Sequence, residues 1–169
     1  MGFNSITPIL TALHGVSITT LDSALALPLG TRRVVDGNEY LYVHVGGAAQ
    51  ISQGQMGFLS PASMLSGYTV TVSNAASQTG YARVVGLAAH ATLATGSYGW
   101  LLTRGVGDIA LDGGEISMNS GDLIAAGVDG GFVVATATIS TGVPLGVALN
   151  SIITTVGTGR AWFKSPLFG

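Results

Sequence analysis

From Thr31 onward the chain is cut into short β-rich runs by turn residues, and this punctuation limits the fold more than any other feature. Branched and aromatic residues fit a pleated, half-buried strand, whereas glycine, and aspartate beside glycine, favour tight turns. Arg32-Arg33-Val34-Val35 meets Asp36-Gly37, a hairpin dipeptide, and Glu39-Tyr40-Leu41-Tyr42-Val43-His44-Val45 follows it. Gly46-Gly47 closes that run, and Tyr68-Thr69-Val70-Thr71-Val72 alternates cleanly. Further runs lie at 81–89, 98–103, 108–111, 123–126, 132–136, 145–149 and 160–163. Asn74, Gly96, Gly105/Gly107, Asp112-Gly113-Gly114, Asp129-Gly130-Gly131 and Gly157/Gly159 separate them. Strands this short and this evenly spaced predict an all-β fold, a compact β-barrel or β-sandwich.

Helical content is limited to short turns. Ser60-Pro61 offers a cap and a first-turn proline, and residues 21–27 would make one turn capped by Thr20 and stopped by Pro28 and Gly30. Residues 5–15 show neither clean period 2 nor period 3.6, and residues 1–30 read as an extended N-terminal arm with apolar anchors; residues 31–169 read as the β-rich domain.

A chain of 169 residues, 47% of them hydrophobic, has material for one core. Its charge is low: 8% of residues, against about 25% in ordinary soluble domains. A net charge of −2 gives no basic footprint for nucleic acid. Zero cysteines exclude disulfides, thiolate metal sites and a cysteine nucleophile. The N-terminus lacks the basic and apolar regions of a secretory signal. Two tracts, 40–82 and 131–159, are uncharged, and the second carries too many Ser, Thr, Gly and Asn residues for a spanning helix. An outer-membrane barrel would need aromatic girdles, and aromatics are only 7%, so no membrane partner is expected.

No catalytic constellation emerges. Gly105-Val106-Gly107-Asp108-Ile109-Ala110 fits a dinucleotide pattern on paper, but Asp112-Gly113-Gly114 leaves no room for the helix that must receive the pyrophosphate. His14, His44 and His90 are isolated in sequence, without metal-ligand spacing. Gly96-Ser97-Tyr98-Gly99 misses the nucleophile-elbow spacing and reads as a turn before a strand. Asp112, Asp122 and Asp129 abut glycine, where aspartate serves turns. The chain is therefore expected to be no enzyme and to hold no metal or cofactor; a histidine beside a carboxylate in a cleft would favour a hydrolase instead.

Uncharged, hydroxyl-rich surface costs far less to desolvate than unpaired lysine or glutamate, and interface cores are depleted in charge. The composition thus predicts a component of an assembly. The few charges gather at 32–39 and 104–129, the candidate rims of contact surfaces. Near the end, Trp162 and Phe163 either divide between core and surface on a last strand, or Pro166, Leu167 and Phe168 form a docking tail.

Several of these runs resemble small structural proteins of tailed bacteriophages, and in particular head decoration (cement) proteins. They are Asp36-Gly37-Asn38-Glu39-Tyr40-Leu41-Tyr42-Val43-His44-Val45-Gly46-Gly47 with Ile51-Ser52-Gln53-Gly54-Gln55, then Ala91-Thr92-Leu93-Ala94-Thr95-Gly96-Ser97-Tyr98-Gly99-Trp100-Leu101-Leu102-Thr103-Arg104-Gly105. Ser120-Gly121-Asp122-Leu123-Ile124-Ala125-Ala126-Gly127 and Gly142-Val143-Pro144-Leu145-Gly146-Val147-Ala148 complete the set. The resemblance spans roughly residues 31–163. It implies a β-tulip-like domain, commonly trimeric, on the capsid exterior, clamping neighbouring major capsid subunits and stabilising the expanded shell. Its partners would be the major capsid protein and its own copies. Capsid contact is expected from Ile9, Leu10 and Leu13 of the arm and from Arg32 and Arg33, the only adjacent basic pair. On that expectation, deleting residues 1–30 abolishes capsid binding and spares the β fold. The alternative is a tail-fibre or receptor-binding module that stacks host glycans on Tyr68, Tyr81 or Tyr98.

Overall fold

The computed structural model describes residues 17–19, 21–46, 49–60, 68–72, 84–111, 118–126, 133–136, 144–151 and 158–167. Ten strands run through them in chain order: β1 Arg32–Val35, β2 Asn38–Val45, β3 Met56–Leu59, β4 Thr69–Thr71, β5 Val84–Leu87, β6 Tyr98–Ala110, β7 Leu123–Ala126, β8 Val133–Thr136, β9 Gly146–Ala148 and β10 Thr158–Lys164. There is no helix among the described residues.

The all-β expectation holds, and the choice between barrel and sandwich falls on a closed barrel of five strands with further strands added to it. The ring runs β2-β4-β3-β5-β6 and closes where β2 pairs antiparallel with β6, from Glu39↔Arg104 to His44↔Tyr98. Only β2–β4 is parallel in the ring. Leu41, Val43 and Val45 of β2 point inside, where they meet Ile51, Val70, Val85, Leu93 and Leu101. These are the period-2 partners that the alternation in the sequence predicts.

A second core forms on the outside of the barrel wall. There Tyr40, Tyr42, Trp100, Leu102, Phe58 and Met56 pack with Ile109, Ile124, Leu145, Ala161 and Phe163. The latter group belongs to an outer sheet in the order β6-β10-β9-β7-β8, so β6 serves both layers.

β6 also corrects the sequence reading, which separates it into two strands at Gly105/Gly107. It is one strand of 13 residues. The ladder skips Thr103 between Tyr40↔Leu102 and Glu39↔Arg104. That extra residue flips the alternation: Trp100 and Leu102 face the second core before the bulge, and Ile109 faces it afterwards. Gly105 adopts φ 127°, and a side chain there would run into Asn38. A Cβ on Gly107 would come within 2.6 Å of Ala89 and 2.7 Å of Leu102. The two glycines permit a bend and a close approach, not a chain reversal.

The first hairpin is as expected, with Asp36 (φ 51°) and Gly37 (φ 78°) both left-handed. The helical turn expected over 21–27 does not form. Asp22 instead exchanges both backbone hydrogen bonds with Tyr98, at 3.0 and 2.9 Å. The Ala26 N–H is claimed by the Tyr42 hydroxyl. The turn expected at Ser60-Pro61 lies outside the described residues, apart from Ser60.

Candidate interaction surface

Two parts of the surface concern function: the N-terminal segment with β1, and the outer face of the outer sheet. Ile9, Leu10 and Leu13 lie outside the described residues. Residues 21–30 form a strap fastened across the barrel wall. Leu27 is buried in the second core, and Gly30 donates its backbone N–H to Tyr42 at 2.9 Å. The buried Tyr42 hydroxyl donates to Asp22 Oδ2 at 2.6 Å and accepts the Ala26 N–H at 3.4 Å. Burial, and then the bond to the Asp22 carboxylate, push the Tyr42 phenol from 10.0 up to about 12. The strap delivers the chain to β1, where Arg32 is exposed and Arg33 half-buried. β1 covers the first half of the β2 edge, with Arg32↔Leu41 and Arg33↔Tyr40 in register. The structure thus brings Arg32 and Arg33 to one strand of the barrel's rim.

The outer sheet has one face in the second core and one toward solvent. Trp162 pairs with Val106 on one side and Val147 on the other, and Val147 pairs with Leu123. These registers lay an apolar row, Val106–Trp162–Val147–Leu123, across four strands. Trp162 is 38% exposed, and Leu149 and Leu167 beside this face are 48% and 42% exposed. The next strand positions are charged. Arg104 sits opposite Lys164 on one side of the row, and Asp108 opposite Arg160 on the other. Arg104 reaches Glu39 at 3.5 Å and Arg160 reaches Asp108 at 4.0 Å, both at exposed positions. Pro144, Val147, Leu123, Trp162, Lys164 and Pro166 border a shallow groove of about 510 Å³ on this face. An apolar row with charged flanks has the layout of a protein contact surface, an apolar centre within a polar rim.

Sequence reasoning finds part of this surface. Trp162 and Phe163 divide between surface and core as one reading holds, since Phe163 is fully buried. Of the alternative docking tail, Pro166 is exposed at the groove's border, Leu167 is exposed, and Phe168 lies outside the described residues. The rim stretch 104–129 supplies Arg104 and Asp108. The shared face of Leu123 and Val147 is not legible in the sequence, because it depends on β7 and β9 being neighbours, which no local signal specifies.

The histidines and tyrosines take structural places. His90 Nε2 lies 2.6 Å from the Tyr40 hydroxyl, and burial pushes that phenol up. His44 packs its ring on Tyr98 at 4.9 Å, and Tyr98 stacks on Tyr42 at 6.3 Å. Neither histidine makes an ion pair with a carboxylate among the described residues. His14 and Tyr81 lie outside them. Ser97 donates to the Ala94 carbonyl at 2.6 Å, as a turn serine does. Among the described residues no three potential metal ligands cluster. No helix among them is long and apolar enough to cross a membrane.

No protein-family model matches the chain. No curated protein matches it either.

Proposed function

We propose that this chain is a head decoration protein of a tailed bacteriophage. It binds the outer surface of the capsid, associates with its own copies, and stabilises the expanded shell by holding neighbouring major capsid subunits together. The observation that carries the reading is the solvent-facing row Val106–Trp162–Val147–Leu123 on a chain with only 8% charged residues. The fold closes its barrel and fills two cores, yet leaves this apolar row open. Such a row on a small, stable β scaffold suits a protein whose work is contact. Many copies on one lattice act together, so each contact can be weak.

In this reading the arm and the rim strand β1, with Ile9, Leu10, Leu13, Arg32 and Arg33, face the capsid, and the arginines meet capsid carboxylates. The test is sedimentation of purified heads with full-length chain and with a chain lacking residues 1–16. Deletion to residue 30 would be uninformative, because it removes Leu27 and the Asp22 bonds from the barrel wall. Full-length chain is expected to sediment with heads in many copies, and the truncated chain to stay in solution with its strand content intact. Truncated chain that fills the heads would overturn the role of the arm. Recovery with tails in a few copies would replace the whole reading with the tail-fibre alternative, for which exposed Trp162 would be the sugar-stacking platform.

A further inference from the structure

The described charges pair off almost completely. Among the carboxylates, Asp22 accepts from Tyr42, Glu39 meets Arg104, Asp108 meets Arg160, and Asp122 accepts the Asn119 N–H at 2.7 Å. Asp36 alone has no such partner among the described residues, and it is exposed at the tip of the β1–β2 hairpin. Among the cations, Arg104 and Arg160 hold Glu39 and Asp108, and Arg32 and Arg33 are also engaged. Lys164, the only lysine of the chain, has no ion pair among the described residues and borders the apolar groove.

The apolar neighbours of these two groups match as well. Val34, two residues before Asp36, is 68% exposed, the most exposed large hydrophobic side chain among the described residues. Trp162, two residues before Lys164, forms the centre of the open row. Hairpin tip and groove therefore carry the same order of one apolar and one charged group, with opposite charge. The registers Val34↔Glu39, Glu39↔Arg104 and Arg104↔Lys164 put them three strands apart in one sheet, about 14 Å at ordinary strand spacing. A tip cannot reach its own groove across that distance, so the match can be satisfied only between molecules.

We propose that copies of this chain associate by seating the hairpin tip of one copy in the groove of the next, Val34 against Trp162 and the Asp36 carboxylate on the Lys164 ammonium. Each copy presents one tip and one groove, so the contact can close as a reciprocal pair or, where the rotation between copies permits, as a ring, the closed forms that most soluble oligomers take. The inference rests on the self-association in the reading above and names its surface; it needs no capsid protein, so its failure leaves capsid binding to be decided by the sedimentation of heads.

Native mass spectrometry and sedimentation of the purified full chain test it. Wild type is expected to form a discrete closed assembly. Asp36→Lys and Lys164→Asp each put like charges face to face and are expected to weaken association by roughly tenfold or more. The double variant restores opposite charges and is expected to recover wild-type assembly. Val34→Glu is expected to dissociate it as well. All three positions are exposed, and unchanged strand content with cooperative unfolding shows that the fold survives. Carbodiimide coupling of the wild-type assembly is expected to join Asp36 to Lys164 across two chains. A wild type that stays monomeric, an assembly indifferent to both single substitutions, or a double variant that fails to recover overturns the proposal.

Discussion

The inside of the barrel and the outer face of the outer sheet are built from the same strand chemistry and end in opposite states. Leu41, Val43, Leu101 and their neighbours close on one another until none reaches solvent, and ring closure through β2–β6 leaves this core no edge. The outer sheet buries Phe163 and Ile109 on one face, but on the other Trp162 and Leu149 remain open. The contrast is sharpest on β10, where Phe163 is fully buried and its neighbour Trp162 is not. A strand contributes to stability through one face and is free to contribute to recognition through the other. The first face is fixed by the fold, and the second is available for assembly.

Substitutions along the two regions should separate these contributions. The largest effect belongs to the closed cores. Phe163→Ala or Leu101→Ala is expected to cost roughly 2–5 kcal/mol in denaturant unfolding, because each leaves a cavity in fully buried surroundings. A loss near zero at Leu101 would mean that the barrel interior is not close-packed. The strap comes next. Tyr42→Phe removes the hydroxyl that binds Asp22 and Ala26, with an expected cost of about 1–3 kcal/mol and faster protease cleavage within 21–30. The same variant should change the response to alkali. The Tyr42 phenol is raised from 10.0 to about 12 in the fold, so its contribution is complete below pH 10.0 and is lost as pH rises through about 12. A stability profile from pH 9 to 12 should therefore fall less steeply in Tyr42→Phe than in wild type, and identical slopes would remove Tyr42 from the account. The outer face should respond least. Trp162→Ala and Arg104→Ala are each expected to change stability by less than about 1 kcal/mol, the range of exposed positions and exposed ion pairs. If Trp162→Ala destabilised the chain as much as Phe163→Ala, the division between the two faces would be wrong.

Local features of the fold are legible in the sequence, and long-range ones are not. Asp36-Gly37 specifies its hairpin because two consecutive left-handed residues suit that turn. The alternation in residues 39–45 tells Leu41, Val43 and Val45 from Tyr40 and Tyr42, although it cannot say that both sets are buried, each in its own core. Gly105 and Gly107 mislead because glycine marks close approach and bulges as well as turns, and only contact with Asn38, Ala89 and Leu102 tells the cases apart. The strap is invisible for the same reason. Its hydrogen bonds go to Tyr42 and Tyr98, far along the chain, and they override a local helical tendency. Of the candidate contact residues, Arg32 and Arg33 fall on the rim strand. The Val106–Trp162–Val147–Leu123 row required the order of β6, β10, β9 and β7, which is set by packing between distant segments.

The proposed role makes its most direct commitment in copy number. If the proposal holds, quantifying the chain against the major capsid protein in purified heads of the phage it would belong to measures this without any variant. The decoration reading predicts many copies per head, in fixed proportion to the major capsid protein. A handful of copies that follow the tails, or none on the particle, would contradict it.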